Sequence, residues 1–145
     1  MNAVVSALGV LAAVTVAVPS LLAQRAAEPH DFLALTRCEG GEARTLTRPD
    51  VARSSLADEV AAHEAVHRTQ AAAHASCEAF VATITSARRT IEVEIPAYCA
   101  QWRVAVARGA DSATTRREFA WRIAAQSGAM ENRLDVLQWL ARDCP

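Results

Sequence analysis

Between Ala3 and Ala23 the chain carries no charge and reads Ala, Val and Leu almost without interruption. Only Met1, Asn2 and the terminal amine precede this run, and Pro19-Ser20-Leu21-Leu22-Ala23 closes it with a helix breaker and small residues. The pattern predicts a secretory signal peptide over 1–23, which takes no part in the fold. About 20 apolar residues also suffice to cross a bilayer, so an N-terminal anchor is the alternative. Residues 24–54 are largely polar, with Pro29, Pro49 and the pair Gly40-Gly41. Loose alternation from Phe32 to Arg37 and from Ala43 to Thr47 allows a short hairpin around Cys38–Glu42 in this otherwise irregular segment.

From Ser54 onward the periodicity is helical. Ser55 with Asp58 three residues later forms a capping-box pattern. The Ala-rich stretch 56–82 follows, weakened at its end by Val81, Thr83, Ile84 and Thr85. Thr90 to Val93 reads as extended. A second helix is expected to start near Val93, because Pro96 belongs in a first turn, and to run to Arg108 before Gly109. Asp111 or Ser112 can cap a third stretch, 113–142. There Phe119, Ile123, Met130, Leu134 and Leu137 keep a helical period across Ser127-Gly128, giving one bent helix or two. Trp102, Trp121, Trp139 and Phe119 fall on these repeats and read as core. The expected fold is mainly α: a small helical domain over 55–145, preceded by the irregular segment.

Composition adds compartment and excludes one partner. The 145 residues suit one domain, and apolar residues make up 52% of them. Four cysteines, Cys38, Cys77, Cys99 and Cys144, lack the CxxC spacing of a thiolate metal site. In an exported chain they read as two disulfides, with three possible pairings. All fifteen cations are Arg, the net charge is −1, and no basic cluster exceeds Arg88-Arg89 or Arg116-Arg117. That balance argues against nucleic acid as a partner. A membrane is expected to be met only through the N-terminal segment.

The chemistry concentrates in His63-Glu64-Ala65-Val66-His67. Histidines at i and i+4 on a helix place both imidazoles on one face, within reach of one metal ion. Zinc takes His nitrogen at about 2.0–2.1 Å and favours four ligands. Glu64 lies about 100° around the helix, where it can act as general base on an activated water without ligating the metal. His63, His67 and His74 fall within about 40° of one another by helical angle, with Gln70 on the same face. A polar stripe of this kind on an Ala/Val helix suggests a lined site.

His63-Glu64-Ala65-Val66-His67-Arg68-Thr69-Gln70 resembles the HExxHxxQ helix of zincin-type metallopeptidases. Glu94-Ile95-Pro96-Ala97-Tyr98-Cys99-Ala100-Gln101 is similar to their later ExxAY or ExxAD helix. The resemblance covers roughly 58–104 and implies a small exported zincin-like zinc hydrolase acting on a peptide or protein substrate. It implies zinc ligands His63, His67 and Glu94, with Glu92 the other candidate for the third place and Glu64 as base. His74 and Tyr98 are candidates to stabilise the developing oxyanion. A metzincin arrangement fails on spacing, since it needs Gly at 70 and His at 73, where this chain has Gln70 and Ala73. The alternatives are a non-catalytic metal-binding module and a disulfide-stapled helical interaction protein.

Twenty-six residues separate His67 from Glu94. A helix unbroken to Arg88 would travel about 31 Å past His67, at roughly 1.5 Å per residue, and Glu94 could not return. Under the zinc reading the helix therefore ends near Phe80–Thr83 and residues 84–93 come back extended. Cys77 and Cys99 then point in opposite axial directions, about 20 Å apart, beyond the roughly 7 Å limit for a disulfide. Pairings that tie Cys38 or Cys144 to these helices are favoured.

Overall fold

The computed structural model describes residues 33–144. The expected signal peptide or anchor at 1–23 and the first part of the irregular segment lie outside the described residues. The remainder is mainly helical. Strands β1 (Ala34–Glu39) and β2 (Glu42–Thr47) form an antiparallel hairpin, and six helices follow: α1 (Pro49–Ala52), α2 (Ala57–Ala72), α3 (Cys77–Val81), α4 (Ala87–Ala107), α5 (Ser112–Gln126) and α6 (Arg133–Asp143).

The hairpin is more regular than the sequence pattern suggests. Its two-residue turn, Gly40-Gly41, has φ of +61° and +86°. Left-handed backbone at both central positions matches strand twist and suits glycine. The register pairs Thr36 with Thr45 and Cys38 with Ala43. By the two-residue alternation of strands these side chains share the inner face, while Leu35 and Leu46 pair on the outer one, each 38% exposed.

Helix α2 does not start from a Ser55 capping box. Its cap position is Leu56 with no side-chain bond; the serine that turns the chain is Ser54, whose Oγ accepts from the Leu56 N–H. The helix also ends earlier than its alanines predict, at Ala72. Ser76 adopts an extended conformation and caps α3, while the Cys77 N–H donates to the Gly41 carbonyl at 2.8 Å. The break combines the local Ser76 cap with tertiary bonds to the hairpin.

The return to residue 94 is helical, correcting the expectation of an extended 84–93. Ser86 caps α4 by accepting from the Arg89 N–H at 3.2 Å, and Ile91 and Val93 are buried at 1% and 5% exposure. The β-branched residues there cost only tenths of a kcal/mol in helix propensity, less than burying two aliphatic side chains contributes. Pro96 consequently lies inside the helix, not in its first turn. Helices α2 and α4 run antiparallel: Gln70 bonds to Val93 and, at the far end, Asp58 pairs with Arg108.

Helices α5 and α6 cover the other side of α4. Asp111 caps α5, accepting from the Thr114 N–H at 2.7 Å, and the chain breaks into two helices after Ser127-Gly128. Ile91, Ile95, Tyr98, Trp102, Phe119, Ile123, Val136 and Leu140 form the main core. Trp139 is half-buried against it, but Trp121, read from sequence as core, is 56% exposed.

Two disulfides fix this arrangement. Cys38–Cys77 joins the inner face of the hairpin to α3, and Cys99–Cys144 joins α4 to the end of α6. Such bonds fit an oxidising compartment. Among the described residues no helix is long and apolar enough to cross a membrane.

Candidate metal centre

One turn of α2 separates His63 from His67, and their Nε2 atoms converge to 3.1 Å. Glu94 enters from α4, with Oε2 3.4 Å from His63 Nε2 and Oε1 3.6 Å from His67 Nε2. All three side chains are nearly sealed from solvent, at 12%, 13% and 8% exposure. Together these three residues could hold a metal ion. With bonds near 2.05 Å, a tetrahedral zinc would hold its ligand atoms roughly 3.3 Å apart; the two imidazole nitrogens are close to that spacing, and one ligand atom from each of the three residues lies within 4.8 Å of the others. Glu94 Oε2 is buried without a hydrogen-bond partner, a costly state for a carboxylate oxygen unless a cation completes it. Three protein donors leave the fourth position of a tetrahedron to the cleft.

The supporting bonds come from three elements. The Gln70 amide nitrogen donates to the Val93 carbonyl at 2.9 Å, which turns its oxygen toward His67 Nδ1, also at 2.9 Å. An amide oxygen only accepts, so Nδ1 carries the hydrogen and the Nε2 lone pair faces the other ligands. From α5, Gln126 donates to Glu94 Oε1 at 3.2 Å. Burial pushes the Glu94 carboxyl up, but the two imidazoles outweigh it and bring it down to about 2. Burial likewise opposes charge on His67, and Glu94 more than offsets it, so this imidazole is raised above its ordinary value.

Glu64 is 5% exposed and accepts a 2.6 Å hydrogen bond from the Thr36 hydroxyl. Tyr98 packs edge-on against the His63 ring, centroids 4.6 Å apart. Burial first, and then the Glu94 charge, push its phenol up to about 12; it stays neutral and able to donate. Both residues line a cleft of about 550 Å³ with the histidines, Glu94, Leu35, Phe80 and Val93.

The structure does not bring every candidate to the cleft. His74 lies in the turn after α2, exposed, with its ring against Phe80 at 5.3 Å. The helix that would have aimed it inward has already ended. Glu92 faces solvent, where Arg88 and Arg89 pair with it at 3.0 and 3.4 Å. On a helix, residues 92 and 94 point about 200° apart, and the face turned to the two histidines belongs to Glu94. Sequence reasoning missed Thr36 and Gln126. Neither sits in a recognisable motif, and only the fold brings them to Glu64 and Glu94.

No family model, no curated protein and no solved structure matches this chain.

Proposed function

We propose that this chain is an exported zinc-dependent hydrolase of metallopeptidase type, with a zincin-like site, acting on a peptide or amide carbonyl. The observation that carries the reading is the meeting of His63, His67 and Glu94 with a buried Glu64 beside them in one cleft. The two-nitrogen, one-oxygen donor set suits zinc. Export is supported by the two disulfides and the uncharged run Ala3–Ala23.

A zinc ion held here would supply a water of lowered pKa and polarise the carbonyl under attack. The protein's own groups do the rest. His63, His67 and Glu94 fix the ion. Glu64 takes a proton from the attacking water and returns it to the leaving amine. Tyr98, whose ring packs against His63 and whose phenol stays neutral, would donate to the developing oxyanion. Phe80, Ile84 and Val93 give the cleft apolar walls that favour an apolar substrate side chain. A purely structural metal would close its shell with a fourth protein ligand, whereas the group here has three members. The two disulfides already staple the fold.

Zinc quantification beside hydrolysis of a mixed peptide library tests the reading. Wild type should carry one zinc per chain and cleave; Glu64→Gln should keep the zinc and lose cleavage, by about a hundredfold or more. Full cleavage by Glu64→Gln, or no zinc on wild type, overturns it.

A further inference from the structure

The cleft's general-base candidate is held from the hairpin, whereas the metal ligands are held from the helices. Thr36 lies on the inner face of β1, and its hydroxyl reaches across 28 residues of sequence to Glu64 Oε2 at 2.6 Å. Behind it Thr45, its cross-strand partner, lies 3.4 Å away, oxygen to oxygen. Behind Thr45 stands Arg68, whose guanidinium reaches the Thr45 hydroxyl at 2.5 Å.

The direction of this chain is fixed by its ends. A guanidinium only donates and a carboxylate only accepts. Thr45 therefore accepts from Arg68 and gives its own hydrogen to Thr36, and Thr36 gives its hydrogen to Glu64. Each link polarises the next toward the carboxylate. Cys38, two residues beyond Thr36 on the same strand face, is bonded to Cys77, so the strand is covalently anchored next to the donor.

We propose that Thr36 is the positioning residue of the base: its hydroxyl, backed by Thr45 and Arg68, engages one oxygen of Glu64 and leaves the other aimed into the cleft. The inference rests on the hydrolase reading for its kinetic consequence, but the geometry it describes exists without turnover. A free Glu side chain has three rotatable bonds, and a base displaced by one rotamer no longer reaches the attacking water. The hairpin thus serves proton transfer, and Gln70 and Gln126 serve metal affinity.

Thr36→Val and Thr36→Ser test this in the full chain loaded with zinc. Three readouts are needed: zinc content, steady-state kinetics, and the Kd of acetohydroxamic acid, a zinc chelator whose hydroxyl would bond to a well-placed Glu64. Thr36→Val should keep one zinc and an unchanged KM while kcat falls about tenfold or more, the worth of a hydrogen bond to a charged group. Acetohydroxamic acid should bind about tenfold more weakly, and not so when Glu64→Ala is already present. Thr36→Ser should restore both values to within about twofold. If Thr36→Val fails to fold, Thr45→Val, one link back, should show the same pattern at smaller size. Cleavage by wild type with equal kcat and hydroxamate affinity in Thr36→Val overturns the positioning role alone. No cleavage by zinc-loaded wild type overturns the hydrolase reading, while hydroxamate affinity still decides whether Thr36 holds Glu64.

Discussion

Gln70 takes the Nδ1 hydrogen of His67 at 2.9 Å, and that single contact selects the tautomer whose Nε2 lone pair faces Glu94. Truncating the amide frees the imidazole to rotate and to exchange tautomers. Gln70→Ala should therefore lower zinc affinity by about ten- to a hundredfold, the usual consequence of losing such a partner. Competition against a chromophoric chelator measures it; an unchanged affinity would show that the ring is held by packing alone.

Glu92 and Glu94 are separated by one residue and by opposite surroundings. Glu92 is exposed among arginines, and Glu94 is buried against the imidazoles. Glu94→Ala should lose stoichiometric zinc, while Glu92→Ala should retain it with unaltered affinity. Metal analysis after gel filtration separates the two; zinc loss in Glu92→Ala would reassign the third ligand.

Acid should strip the metal through His67, not through Glu94. In the metal-free protein burial disfavours charge on His67, yet Glu94 keeps the imidazolium form above its ordinary 6.5. A raised pKa stabilises the metal-free fold below pH 6.5, and this contribution is lost as pH rises through the raised value. Glu94, held at about 2, remains ionised throughout this range. Zinc must displace the His67 proton, so its affinity should fall as pH drops through that raised value. Calorimetry in buffers of different ionisation enthalpy should find more than half a proton released from His67 per zinc at pH 6.5 and less at higher pH; proton release independent of pH would refute the assignment.

Each disulfide closes a long stretch of chain, spanning 39 and 45 residues. Chain-entropy reasoning puts the effect of such loops at about 4 kcal/mol, and measured values usually fall at about 2–4 kcal/mol. Cys99→Ala with Cys144→Ala should lower the urea-unfolding free energy by that amount. Cys38→Ala with Cys77→Ala should do so too, and should also loosen the hairpin, seen as faster amide exchange at Thr36. A loss below about 1 kcal/mol in both pairs would mean that packing alone holds these elements.

Much of the architecture is legible in the residues. Gly40-Gly41 between alternating stretches announces the hairpin, and Asp111 and Gly109 bracket the turn before α5. Of the three possible cysteine pairings the residues argue only against Cys77–Cys99; that Cys38 joins Cys77 and Cys99 joins Cys144 is set by the fold. Other features are set by contacts between distant segments. In His74-Ala75-Ser76 the only local signal is Ser76, which caps α3; the bond from Cys77 to Gly41 adds a tertiary hold that no local pattern announces. Thr90 to Val93 carry extended propensity, yet burial of Ile91 and Val93 makes them helical and moves the start of α4 to Ala87. At the site, the i, i+4 histidines and the adjacent Glu64 are visible as a pattern. Thr36 is not, because a threonine in an alternating strand looks like any other until the fold sets it against a carboxylate.

The cross-links at 38–77 and 99–144 do not interleave. Covalently the described chain is two closed rings in series, threaded on the open stretch 78–98. His63 and His67 belong to the first ring, Gln126 to the second, and Glu94 to the thread between them. A single protease cut inside either ring leaves one covalent molecule, whereas a cut within 78–98 leaves two fragments joined only by the packing of α2 on α4, and by a metal where the histidines and Glu94 share one.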